Sequence, residues 1–153
     1  MDSLFPITVE AQDIPNIPGL SYLPEYVSES EEAALVAAID AEVWDTSWER
    51  RRQPYGSAYG QEAGLGREIP FWGRALAARM HRDGVSNRLF DQMLINEYLP
   101  GQGIALHRDY LPFDRTVVSL SLLSPCVMDF RHAVDGDEKS VASAGTPQSG
   151  GAS

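Results

Sequence analysis

His107 and Asp109 stand two residues apart in the run Gly103-Ile104-Ala105-Leu106-His107-Arg108-Asp109. Side chains alternate between faces in an extended segment, so an imidazole and a carboxylate at this spacing project together. Such a pair can supply two of the three ligands of a two-histidine, one-carboxylate facial triad, a geometry that leaves positions open on iron(II). The same spacing also fits a structural histidine beside a surface acid, and three residues alone do not choose between the two. Asn96 and Tyr98 are likewise co-facial. Taken bare, Asn96 could cap a turn and Tyr98 could be a core aromatic with its hydroxyl at the rim.

These four side chains need a sheet to hold them. Residues 91–98 read as a strand with Met93 and Ile95 on one face and Leu94, Asn96 and Tyr98 on the other. The Pro100-Gly101-Gln102-Gly103 turn then leads into a second strand that carries His107 and Asp109 or ends at them. Leu111-Pro112-Phe113-Asp114 forms a loop, and residues 115–123 and 126–131 complete two further strands. Four antiparallel strands of this kind make the first half of a double-stranded β-helix, or jelly roll.

The spaced string Asn96-x-Tyr98-x-x-Gly101-x-Gly103-Ile104-x-x-His107-x-Asp109, followed by Val117-Val118-Ser119-Leu120-Ser121-Leu122, resembles the AlkB-like family of Fe(II)/2-oxoglutarate dioxygenases. The likeness is densest over residues 94–130 and extends more loosely back to residue 18. It implies that His107 and Asp109 ligate Fe(II), that Asn96 and Tyr98 hydrogen-bond 2-oxoglutarate, and that no further catalytic residue is needed. It also implies the chemistry: O₂ and 2-oxoglutarate are consumed, succinate and CO₂ are released, and a substrate C–H bond is hydroxylated. An N-methyl group treated this way leaves as formaldehyde. The family's substrates are nucleic acids or, in some branches, proteins.

In that family further strands carry a second metal histidine and an arginine that pairs with the far carboxylate of 2-oxoglutarate. Here the residues after His132 include no histidine and no arginine, and they are rich in Gly, Ser and Ala. A segment so poor in large apolar side chains is expected to be disordered. His132 arrives sooner after Asp109 than the family's second ligand does, and reads as a strand-end surface histidine. The chain therefore resembles a family member truncated at its C-terminus, from a shortened or frame-shifted coding sequence. The alternatives are a catalytically inactive remnant and a partner-binding jelly-roll fragment. An unpaired sheet edge would favour self-association.

Upstream, the prolines among residues 1–27 suit an entry strand. A first helix is expected from Ser28, because Ser28-x-x-Glu31 has the spacing of a capping box, with Leu35, Val36, Ile39 and Val43 on one face. A second opens at Ile69-Pro70-Phe71 and stops before Gly84, with Trp72, Leu76 and Met80 as its core stripe and His81 as a surface residue of its last turn. Between them lies the one basic cluster, Arg50-Arg51-Arg52-Gln53-Pro54-Tyr55. It is positioned like the substrate lid of AlkB-like proteins, with Arg51 able to grip a phosphate and Tyr55 able to stack a base. Pro54 stands where many relatives carry histidine, and a strand edge protected by charge would have much the same composition.

The expected fold class is α+β: two N-terminal helices packed on a partial jelly roll, with a disordered tail. Residues 1–88 form the helical and lid region, 89–132 the partial jelly roll and 133–153 the tail. A chain of 153 residues suits a single core, and one cysteine, Cys126, excludes an internal disulfide and fits a reducing cytoplasm. The N-terminus does not read as a secretory signal, and no apolar run approaches membrane length. A net charge of −10 opposes wholesale electrostatic binding to nucleic acid while leaving room for a local basic groove.

Overall fold

The computed structural model describes residues 16–56, 67–108, 116–134 and 137–145. The chain divides into two compact units, Ala34–Val118 and Met1–Ala33 with Ser119–Ser153.

Helix α1 spans Glu29–Asp40. Its capping box forms as the spacing predicts: Ser28 Oγ accepts the Glu31 N–H at 3.2 Å, and Glu31 Oε1 accepts the Ser28 N–H at 3.4 Å. Glu29, Glu31 and Glu32 place negative charge against the positive end of the helix dipole. The helix stops at Asp40, tightened by the Glu42 N–H donating to the Ile39 carbonyl at 3.0 Å. Val43 therefore falls beyond it and is 75% exposed, leaving Ile39 as the buried anchor of the expected stripe.

Helix α2 spans Phe71–Arg82, entered from Pro70. Gly84, at φ +76, closes it: its N–H reaches the His81 carbonyl at 3.1 Å, and the Val85 N–H reaches the Met80 carbonyl at 2.9 Å. These two bonds define a Schellman stop, and the left-handed position is the reason glycine sits there. His81 stays on the surface, its Nδ1 3.1 Å from the Ser86 carbonyl.

Strands β1 (Arg52–Tyr55) and β2 (Met93–Asn96) pair antiparallel, with Arg52 opposite Asn96 and Tyr55 opposite Met93. This pairing crosses the boundary expected near residue 88. Alternation along the register puts Gln53, Tyr55, Met93 and Ile95 on the face covered by the helices. Gln53 Nε2 donates to the Ile39 carbonyl at 2.8 Å, joining β1 to α1. The Trp72 ring meets Tyr55 edge-on, with centroids 6.4 Å apart. At Gly73, a Cβ would sit 2.8 Å from Ile69 Cγ2 and 3.0 Å from Met93 Cε, so α2 approaches β2 where it carries no side chain. The fold is α+β, as expected, with two helices and small antiparallel sheets in place of the four-stranded half jelly roll.

In the other unit, β3 (Val127–Val134) pairs antiparallel with β4 (Asp137–Gly145), with a bulge between His132 and Ala133. The tail expected to be disordered thus contains a strand over 137–145. Backbone pairing explains the difference: β3 needs partners for its N–H and C=O groups, and a hairpin supplies them without asking the added strand for apolar side chains.

Three expected strands differ. The first is shorter than residues 91–98, and residues 116–123 form no strand. Among the described residues no strand directly follows the Pro100-Gly101 turn: residues 103–108 are irregular. The Pro-Gly order, Gly101 at φ +84 and the Gln102 N–H donating to the Leu99 carbonyl at 2.9 Å are those of a type II turn. Such turns splay the flanking strands, whereas hairpins use their mirror images. The return bond is also missing, because the Leu99 N–H is accepted at 2.9 Å by the Gln102 side chain.

Candidate functional site

Every sequence-predicted site residue that the structure describes belongs to the unit Ala34–Val118. Asn96 ends β2 on the face away from the helices, half-buried, with Tyr98 beyond it and 42% exposed. The Asn96 Oδ1 accepts the Arg50 Nε–H at 3.1 Å. Gln102 ties the following turn to the Trp48 loop by donating from Nε2 to the Glu49 carbonyl at 2.8 Å.

His107 is exposed and lies on irregular backbone rather than on a strand. Its Nδ1 is 2.9 Å from the Ala105 carbonyl. A carbonyl only accepts, so Nδ1–H is the donor in this contact. It is the same kind of contact that orients metal-ligating histidines. Asp109 lies outside the described residues. Among the described residues no three His, Cys, Asp or Glu side chains gather as a metal cluster.

The basic cluster is engaged within the protein. Arg51 forms a bidentate pair with Glu97, Nε to Oε1 at 2.6 Å and Nη2 to Oε2 at 2.7 Å, with its guanidinium 4.2 Å from the Trp44 ring centre. The Glu97 N–H also donates to the Arg51 carbonyl at 3.0 Å, prolonging the β1–β2 ladder by one residue. The Arg51 bond holds the Glu97 carboxyl below its ordinary pKa. Arg52, 8% exposed, donates to Asp45 Oδ2 at 3.0 Å and lies over Trp48. Asp45 also accepts from the Ser47 hydroxyl and N–H, and these bonds with Arg52 lower its pKa from 3.8 to about 2.

These contacts bear on the two substrate assignments, Arg51 and Tyr55. Tyr55 is 1% exposed, its hydroxyl donates to Gln53 Oε1 at 2.7 Å, and the Arg67 guanidinium lies 4.7 Å from its ring centre. No face is left on which a base could stack, and burial raises the phenol pKa. Arg51 clamps two strands and would have to abandon a bidentate carboxylate to grip a phosphate. The cluster runs into strand β1, with Arg51 and Arg52 paired to acids.

Sequence reasoning missed Trp44, Asp45, Trp48 and Gln53. The signal was present: Trp44-Asp45-Thr46-Ser47-Trp48 directly before three arginines offers acids and indole faces to guanidinium groups. A shallow cleft of about 470 Å³ is lined by Gly56, Arg67, Ile69, Arg74, Phe90 and Asp91 among others. None of Asn96, Tyr98 or His107 lines it, so it is not the expected site.

The family described as the 2OG-Fe(II) oxygenase superfamily matches residues 43–144. The chain is 37% identical over 129 residues to an Arabidopsis thaliana protein named "Alkylated DNA repair protein ALKBH8 homolog", covering 76% of this chain and 37% of that one. It is 34% identical over 133 residues to the Macaca fascicularis "tRNA (carboxymethyluridine(34)-5-O)-methyltransferase ALKBH8", covering 75% of this chain and 20% of that one. The Danio rerio "Probable RNA/DNA demethylase ALKBH6" is 27% identical over 121 residues, covering 76% of this chain and 52% of its own length. The chain thus spans between about a fifth and about a half of these relatives. No solved structure matches it. The chain belongs to the 2OG-Fe(II) oxygenase superfamily, within its AlkB-like branch.

Proposed function

We propose that this chain carries the co-substrate and first metal-ligand elements of an Fe(II)/2-oxoglutarate-dependent dioxygenase that demethylates or hydroxylates a nucleic acid. The observation that carries the reading is the His107 contact: its Nδ1 lies 2.9 Å from the Ala105 carbonyl, the kind of backbone hydrogen bond that orients a metal-ligating imidazole. His107 Nε2 and the Asp109 carboxylate would hold the iron, while Asn96 and Tyr98 would hydrogen-bond 2-oxoglutarate. When bound, the two supply oxidation of a C–H bond coupled to decarboxylation of the keto acid. The β1–β2 sheet would be part of a jelly roll whose interior is lined by its helix-free face, with Leu94 and Asn96. The names of two relatives, an alkylated DNA repair protein homologue and a probable RNA/DNA demethylase, favour nucleic acid over protein as the substrate class.

The test is a titration with Mn(II), as a redox-inert stand-in for iron, with and without 2-oxoglutarate, alongside succinate release in the presence of Fe(II). Mn(II) should raise the thermal transition by mass action, 2-oxoglutarate should raise it further, and His107→Ala should remove both shifts and the succinate. Turnover unaffected by His107→Ala would refute the assignment.

A further inference from the structure

The proposed site contains a residue whose task is to aim another. Asn96 has one acceptor and two donor hydrogens on a planar group that can be turned over by rotation about its last bond. Only the orientation that offers Nδ2 to the ligand can bind a carboxylate. Arg50 Nε, 3.1 Å from Asn96 Oδ1, is a donor and never an acceptor, so the reversed orientation would set two N–H groups against each other. Arg50 is itself restrained by Trp48, whose ring centre is 5.7 Å from the guanidinium carbon.

Strand geometry makes the contact specific. Arg52 lies opposite Asn96, and the ladder continues through Arg51 and Glu97, which sets Arg50 opposite Tyr98. Arg50 and Asn96 are therefore diagonal neighbours on one face, within reach of a long side chain. Arg51, on the other face, is taken by Glu97. Arg51 and Arg52 thus pair with acids, while Arg50 reaches Asn96 of the candidate co-substrate site.

We propose that Arg50 is a positioning residue for 2-oxoglutarate: it saturates Asn96 Oδ1 and so presents Nδ2 to a carboxylate of the keto acid. This inference rests on the co-substrate role of Asn96 proposed above. Removing the donor frees the amide to turn and to lose part of its binding to solvent.

The experiment is a double-mutant cycle read by calorimetry of 2-oxoglutarate binding to the Mn(II)-loaded chain, with Arg50→Met, Asn96→Ala and both together. Arg50→Met should weaken binding about tenfold in the wild-type background, equivalent to about 1.4 kcal/mol. In the Asn96→Ala background it should change affinity by less than about twofold. Arg50→Lys, which keeps a donor and the charge, should recover affinity to within about threefold of wild type. Thermal transitions without ligand identify any variant that has lost its fold; if Arg50→Met does, the Arg50→Lys cycle against Asn96→Ala takes its place. Equal weakening in both backgrounds would mean that Arg50 acts only as a distant charge, and would overturn the proposal. Wild-type affinity in Arg50→Met would overturn it too, while leaving the dioxygenase reading intact. Failure of the wild type to bind 2-oxoglutarate would overturn both.

Discussion

Replacing Gln53 with methionine should cost about 3 kcal/mol of stability, because that amide is the buried link between α1, β1 and Tyr55. Gln53 is 0% exposed; Nε2 donates to the Ile39 carbonyl at 2.8 Å and Oε1 accepts the Tyr55 hydroxyl at 2.7 Å. Methionine matches the side chain in length, so the change leaves little cavity and isolates the polar terms. Two hydrogen bonds at about 1 kcal/mol each are lost, and the stranded Tyr55 hydroxyl adds a desolvation cost of about 1–3 kcal/mol, partly offset by burying a thioether instead of an amide, while the Ile39 carbonyl keeps the Glu42 N–H. Urea unfolding followed by the fluorescence of Trp44, Trp48 and Trp72 would read the change as a lower midpoint at constant slope. Tyr55→Phe supplies the internal control. It should cost about 1 kcal/mol in the wild type and almost nothing beside methionine at position 53, where the hydroxyl has already lost its acceptor. A loss below about 1 kcal/mol for Gln53→Met, or equal effects of Tyr55→Phe in both backgrounds, would refute the claim that this bridge fastens the helix to the sheet.

Asp45, with its pKa lowered to about 2, stabilises the fold at pH values above the ordinary carboxylate range, and that contribution fades as pH falls from about 4 towards 2. Asp45→Asn should therefore flatten the acid limb of the stability curve while changing its shape little above pH 5, as acid titration by circular dichroism would show. Gly56→Ala should cost more than about 3 kcal/mol, since a Cβ there meets the Asp91 carbonyl oxygen at 2.5 Å with φ at +104. Gly84→Ala, with φ +76 and nothing within 4 Å, should cost only about 1 kcal/mol, and similar losses at the two sites in thermal unfolding would refute that contrast. Ser28→Ala removes the Oγ acceptor of the α1 capping box and should lower stability by about 1 kcal/mol in the same assay.

The helices were legible because their signals are local. Ser28 and Glu31 satisfy each other's backbone groups three residues apart, and Gly84 stops α2 whatever lies beyond it. The sheet was only partly legible. Met93–Asn96 follows the expected alternation, but its partner Arg52–Tyr55 was read as a lid, because three arginines and a proline hide a strand whose charges are neutralised by distant acids. The turn at Pro100-Gly101 was located correctly and its consequence was not. Pro-Gly specifies a turn, yet the type it specifies does not fold a strand back on its neighbour. At the candidate site, the residue types and the shared face of Asn96 and Arg50 follow from spacing and register. The contact between His107 Nδ1 and the Ala105 carbonyl does not, since it depends on where that carbonyl points.

The arginine cluster shows how one segment can serve two faces. Glu97 and Arg51 have side chains 32% and 39% exposed, so water screens their pair and its contribution to stability is at most about 1 kcal/mol. Its value is geometric: two parallel N–H···O bonds fix the relative position of β1 and β2 one residue beyond the ladder, where Asn96 must be held. On the opposite face Arg50 turns its donor onto Asn96, while Arg52 is anchored to Asp45. With Arg51 and Arg52 paired to acids and a net charge of −10, the cluster offers phosphate little beyond the charge of Arg50. A nucleic-acid substrate is therefore better accommodated by contacts at the extruded base than by broad neutralisation of the backbone. The salt dependence of its binding should be correspondingly shallow, because few counterions are released.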